Sequence, residues 1–266
     1  MVDKLTKTLK LILFMSINLL IVLMSPIVGI LFSGELYELA GTLVFFLTFF
    51  LMYGFTWAFV IWDGGKYISE LGIDFDKSTT SHIIIGVIAG IAAAGSVLLF
   101  ALAGGGQLRP LDQITADLIL NEIIITTPTA VFEELVHRGY ILSRMEELAG
   151  RRNAILLSSL FFSFLHFSWW ASPGFPIHLI FIFSFNLFLG GVLLSLSYYW
   201  SGRKLWVPIA FHFVWNMIAY LLFPQYPREP VITPEVFQIE WGLTTIVGFL
   251  IGILVIWGLL RLKKKE

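Results

Sequence analysis

The chain has 266 residues, of which 58% are hydrophobic and only 13% charged. Soluble domains run to roughly 45–50% apolar and about 25% charged residues, so this balance requires many apolar side chains to face lipid rather than a core. A net charge of −1 excludes a global basic field and with it nucleic-acid binding. The absence of cysteine excludes disulfides, iron–sulfur clusters and thiol nucleophiles.

A spanning helix needs about 20 apolar residues to cross a hydrocarbon layer roughly 30 Å thick. In chain order the qualifying windows are Leu9–Phe32, Leu39–Trp62, His82–Leu102, Ile114–Phe132, Ala154–Trp170, Pro176–Trp200, Leu205–Phe223 and Trp241–Leu260. The first is too long for a signal-peptide core and reads as a retained helix. The fourth is interrupted by Asp117, Asn121 and Glu122. Pro128 suggests a later frame running to about Leu148, with residues 113–127 as a separate or kinked segment.

With the N-terminus cytoplasmic, 15 of the 17 basic residues fall in cytoplasmic segments, and only Arg109 and Arg228 lie outside. That asymmetry predicts eight spanning helices with both termini inside. Gly104–Gly106 with Pro110, the turn SWWASPGFP (168–176) and the proline-rich stretch Pro224–Glu240 read as outer connections. Asp63–Ser81 reads as the longest cytoplasmic loop. Gly86, Gly90 and Gly95 suggest close helix contact in the third span. The expected fold is therefore all-α, a polytopic membrane domain over residues 1–266 enclosing a polar cavity.

VFEELVHRGY (131–140) places four ionisable groups within six positions of this apolar chain. Glu134 and Arg138 are at i,i+4 with the acid N-terminal, the favourable order for an ion pair. Glu133 points about 100° away and has His137 as its i,i+4 neighbour, so one carboxylate is neutralised and the other is not. The plain alternative is that both acids are solvated at a membrane boundary. Depth argues against it, because Glu133 lies about 22 Å along the helix from a break at Ala149–Asn153. His166 lies about 20 Å from the same break, and His212 about 12 Å from the end of its helix, with Asn216 on the same face. Groups this expensive in lipid, converging from three helices, imply a wet chamber.

A carboxylate and an imidazole can hold and deprotonate a water, while a second imidazole and an amide can donate to a developing oxyanion. This set suits hydrolysis of a carbonyl compound, most plausibly a peptide bond. Glu133, His166 and His212 could equally hold zinc with an open position, although HExxH is absent. Ser158, Ser159 and Ser163 carry no mark of a nucleophile. A relay of Glu122, Glu133 and the histidines in a proton-coupled carrier is the competing reading, without an inverted repeat to support it. A non-enzymatic immunity or scaffold protein is another. Elsewhere, Asn186 is expected to bond to a neighbouring helix, His82 and His178 to lie at interfaces, and His137 to face solvent.

Three motifs occur in order: EExxxR at Glu133-Glu134…Arg138, FxxxH at Phe162…His166, and HxxxN at His212…Asn216. Together with Phe188-Leu-Gly190 and the run Ser201–Trp206, they resemble the CPBP intramembrane proteases, named for CAAX proteases and bacteriocin-processing enzymes and also called Abi. The resemblance covers about residues 125–220, a catalytic core flanked by accessory helices in 1–112 and 224–266. It implies a type II CAAX prenyl endopeptidase-like hydrolase. In that pattern Glu133 activates water, His166 helps hold it, His212 and Asn216 stabilise the oxyanion, and Glu134 and Arg138 support the site. It implies no obligatory cofactor, with zinc left open. It also implies a peptide or prenylated protein as substrate in a multi-pass membrane setting, the plasma membrane if the host is prokaryotic.

Overall fold

The computed structural model describes residues 4–167 and 175–263. Every regular element among them is helical. Five helices are long and apolar enough to cross a membrane: α1 (Lys4–Leu31), α2 (Gly34–Trp62), α3 (Thr79–Gly104), α7 (Ile177–Trp200) and α10 (Thr244–Lys263). Between them lie α4 (Ala116–Glu134), α5 (Leu142–Ala149), α6 (Arg151–Leu165), the apolar α8 (Trp206–Leu222) and the single turn α9 (Pro234–Phe237). α1 and α2 leave large apolar side chains such as Leu20, Ile30 and Phe50 exposed, which is stable only against lipid.

Helices therefore form in all eight expected windows, with two differences that matter for the site. α4 is continuous through Pro128 rather than divided there. A proline deletes one backbone hydrogen bond, and a membrane helix that broke outright would strand several more away from water. Thr127 and Thr129 flank it with hydroxyls bonded back to the Ile123 and Ile125 carbonyls. The Ala154–Trp170 window, by contrast, stops being helical at Leu165. α6 is about 22 Å long, and His166 sits at its C-terminal cap with φ −93° and ψ 0° instead of within the helix. Most of the expected aromatic outer turn, residues 168–174, lies outside the described residues.

α4 does not end at Glu134. It widens into a π-helical turn, Leu135–Ile141, and continues as α5 to Gly150, where φ +78° breaks the chain before α6. All seven residues of the π turn are buried. The turn packs with α1, α2 and α5 in one apolar core containing Phe14, Phe59 and Tyr140. α3, α7, α8 and α10 form a second core around Phe211, Trp215 and Phe249.

α3 and α8 approach through small residues. A Cβ on Gly86 would meet the Val207 carbonyl at 2.5 Å and Ala210 at 2.7 Å, and one on Gly90 would meet Val214 at 2.9 Å. Gly95, expected to share this role, faces open space: a Cβ there would meet nothing within 4 Å, so it takes no part in the contact. His82 lies in the first turn of α3, at a helix end as expected, and is buried there, whereas His178 is exposed.

The 63–78 loop closes the end of the molecule nearest the π turn. Gly72 (φ +96°) accepts from the Leu205 amide at 2.9 Å, and its α-carbon lies so close to Arg203 that a Cβ would strike that carbonyl. Lys204 pairs with Asp74 and Asp76, and the Trp206 indole donates to the Asp74 carbonyl. Hydrogen bonds from the Ser78 side chain, Lys204 and the Ser78 amide hold the Asp76 carboxyl well below the usual carboxylate range. A depressed pKa stabilises the fold above the unfolded value and is lost as pH falls through the folded one. This clamp therefore persists through mildly acidic pH.

Substituting Gly86→Ala is expected to destabilise the protein by about 1–3 kcal/mol, because backbone must move to admit the methyl. Gly95→Ala is expected to be neutral or to stabilise by up to about 1 kcal/mol through helix propensity. Unfolding transitions of the two purified variants in one detergent check the contrast.

Candidate active site

Glu133 and Glu134 leave α4 in different directions, as the helical turn requires. Glu134 is wholly buried, and its Oε1 accepts from Arg138 Nη1 at 2.8 Å and from His212 Nδ1 at 2.9 Å. The first bond is the expected i,i+4 pair, while the second joins α4 to α8 and was not readable from spacing. Glu133 turns toward the other two motifs. Its Oε2 lies 3.6 Å from His166 Nε2 and 4.0 Å from His212 Nε2. That oxygen is buried and accepts no hydrogen bond among the described residues.

The ring nitrogens can be assigned from their partners. His166 Nδ1 is 2.8 Å from the Phe162 carbonyl, which only accepts, so Nδ1 carries a proton. His212 Nδ1 faces the Glu134 carboxylate and does the same. In their neutral forms both imidazoles therefore present Nε2 lone pairs toward Glu133, and each becomes an Nε2–H donor on protonation.

Phe162 explains why the second motif opens on an aromatic residue. The Arg138 guanidinium lies 4.4 Å from its ring centroid, His166 packs at 4.5 Å, and His137 meets it edge-on at 5.0 Å. One ring thus supports a cation–π contact and two imidazoles. His137 is not at the surface as expected but 2% exposed, wedged against Phe161 and Phe162, with Nδ1 unpartnered among the described residues. The π turn buries the whole segment against α2, α5 and α6, and no residue type in VHRGY announces that widening. Arg138 also reaches the Gly191 carbonyl at 3.4 Å, where α6 and α7 touch so closely that a Cβ on Gly191 would lie 2.9 Å from Ser159.

These groups open on a cavity of about 280 Å³. Glu133, His166, His212 and Asn216 line it together, with apolar walls from Leu187, Leu194, Phe211 and Phe249. The Asn216 side chain forms no hydrogen bond among the described residues. Three further lining residues escaped the sequence reading as site residues: Asn186, Tyr220 and Glu240. Asn186 bonds to the carbonyls of Glu240 (2.8 Å) and Gly242 (3.0 Å), so its partner is a connection rather than the neighbouring helix that was expected. Glu240 enters from the loop before α10, and nothing local signals that the chain returns there. Ser163 is committed to the Ser184 carbonyl at 2.6 Å, and Ser158 bonds weakly within its own helix.

Zinc with bonds of about 2.0–2.1 Å to nitrogen and oxygen in a tetrahedral set needs ligand atoms roughly 3.3–3.4 Å apart. The measured 3.6 and 4.0 Å are wider, and no group of three or more histidines or acids among the described residues is arranged to hold a metal.

Residues 115–218 match the family model described as Rce1-like, type II CAAX prenyl endopeptidase. That segment is less than half of the chain. It contains all of α4, the π turn, and α5 to most of α8, and thus all three motifs. The match agrees with the CAAX-protease resemblance and implies a peptidase. Glu240 and α10, which complete the cavity wall, lie outside the matched segment. No curated relative matches the chain significantly.

Arg138→Ala would leave the Glu134 carboxylate buried with only His212 as a charge-stabilising partner. Breaking one side of a buried pair costs about 3–5 kcal/mol. A large drop in melting temperature in detergent is expected for this variant and a much smaller one for Glu133→Gln, measured side by side.

Proposed function

We propose that the protein is an intramembrane endopeptidase that hydrolyses peptide bonds with a water activated by Glu133. The observation that carries this reading is the convergence of a buried, unpartnered Glu133 oxygen with two imidazole Nε2 atoms at 3.6 and 4.0 Å. Those separations are too long for direct hydrogen bonds and suit a water bridging the carboxylate and an imidazole.

In the proposed reaction Glu133 removes a proton from that water as its oxygen adds to the scissile carbonyl carbon. His166 orients the water. The tetrahedral oxyanion receives hydrogen bonds from the Asn216 amide and from the Nε2–H of protonated His212, whose Nδ1–H donates to Glu134. Collapse breaks the C–N bond, and the proton held by Glu133 passes to the departing nitrogen. No covalent enzyme intermediate is required. Apolar cavity walls suit a membrane-associated peptide, and the Rce1-like match supports CaaX-type processing as the first substrate class to test. The lysine and arginine asymmetry supports eight crossings with the termini in the cytoplasm.

Protein purified in detergent is to be assayed on a farnesylated CaaX peptide and an unmodified peptide library. Glu133→Ala, His166→Ala and His212→Ala are each expected to lower kcat by at least about 10²-fold, the range of a lost general base or oxyanion donor. Cleavage that survives Glu133→Ala ends the mechanism. Loss of activity with a chelator and its return with zinc replaces the metal-free version, and no cleavage under any condition favours a carrier or scaffold.

A further inference from the structure

Beside the site cavity lies a larger chamber of about 700 Å³. The two share Phe183, Tyr220 and Glu240 as a common wall. The outer chamber is built from the N-terminal half of α4, the C-terminal end of α8 and the 224–241 connection. All of these lie at the ends of the helices away from the connections α2–α3, α5–α6 and α7–α8, where the lysines and arginines gather. The chamber thus lies on the side of the molecule poor in basic residues.

Its wall is acidic. Glu122 projects into the chamber from α4, is 4% exposed, and has no hydrogen bond or ion pair to its carboxylate among the described residues. Glu240 reaches both cavities; the Trp215 indole hydrogen-bonds its carboxyl, and no lysine or arginine lies within ion-pairing distance among the described residues. Its backbone is held in the left-handed region at φ +66°, disfavoured for a residue with a side chain. The Thr245 hydroxyl accepts its amide at 2.9 Å, and Asn186 donates to its carbonyl. Trp241 stacks on Phe183 at 4.2 Å and fixes the same turn. The chamber's one lining cation among the described residues, Arg228, is exposed and so screened by solvent. Arg109, on the same side of the molecule, is engaged by Glu229 and the Phe223 carbonyl. A carboxylate as enclosed as Glu122 is screened far less, and an arriving cation would partner it.

We propose that substrate reaches Glu133 through this chamber, and that Glu240, with Glu122 beyond it, selects peptides carrying a cationic side chain near the scissile bond. The proposal rests on the peptidase reading. It predicts discrimination by charge at the wall shared by the two cavities, on a residue outside the matched segment.

Binding is tested apart from turnover. Three labelled peptide pools, with lysine, norleucine or glutamate at one fixed central position, are titrated onto full-length Glu133→Gln protein in detergent. The lysine pool is expected to bind about tenfold more tightly than the norleucine pool, the scale of one well-placed charge pair. Adding Glu240→Gln should abolish most of that preference, and Glu240→Lys should reverse it in favour of glutamate, a gain that an unfolded variant cannot mimic. Equal binding of all pools, or a lysine preference unchanged by both Glu240 variants, overturns the proposal. Because the chain has no cysteine, Gln225→Cys in the chamber wall can be labelled alone with a bulky maleimide. Loss of lysine-pool binding on labelling supports the route, and unaltered binding overturns it. If wild-type protein cleaves nothing while the lysine preference and its reversal persist, the peptidase reading fails and the charge selection stands.

Discussion

Arg138 is 1% exposed and Glu134 is fully buried, in a part of the molecule where an unpaired charge costs several kcal/mol. Their 2.8 Å contact is therefore the constraint around which the site is organised. The guanidinium needs more than one partner, and it finds the Phe162 ring on α6 and the Gly191 carbonyl on α7. Glu134 needs a second donor and finds His212 on α8. Four helices are drawn to one point by the requirement that two charges not be left alone. Because Glu134 is consumed in this way, its neighbour Glu133 keeps a carboxylate oxygen for chemistry.

The surrounding architecture holds that point from both sides. Below it, the π turn carries Arg138 and buries His137, and the 63–78 loop seals the turn through Leu71, which lies within 3.5 Å of a Cβ position on Gly139. Beside it, the small residues of α3 let α8 come close enough to place His212 and Asn216. Above it, α6 stops at Leu165, so that His166 is presented from a helix cap whose carbonyls and amides are already bonded locally. A π turn costs hydrogen-bond geometry relative to an α-helix and is frequent at functional sites. Here it directly follows Glu133 and Glu134 and carries Arg138, while the helix continues to Ala149.

The outer chamber adds an asymmetry to this arrangement. Glu133, His166, His212 and the charges that support them come from the matched segment, whereas the wall facing them is completed by Glu240 and α10. The outer chamber is thus built partly from the matched segment, through Glu122, Ile125 and Phe183, and partly from the 224–241 connection outside it. Such a division is common where chemistry sits on packed helices and selectivity on connecting segments.

What the sequence determined by itself was whatever short-range geometry controls. The pairing of Glu134 with Arg138, the divergence of Glu133, the break at Gly150 and the eight helical stretches all follow from 3.6 residues per turn and from the length of an apolar run. Even the meeting of Glu133 with His166 and His212 was legible, because buried polar groups at matched depth have few places to go. Only the tertiary structure decided the Glu134–His212 bond, the burial of His137, the silence of Gly95 and the entry of Glu240 into the cavity. Those depend on how each helix is rotated about its axis and on where a connection returns. Both are settled by the summed packing of distant side chains, and no local pattern encodes them.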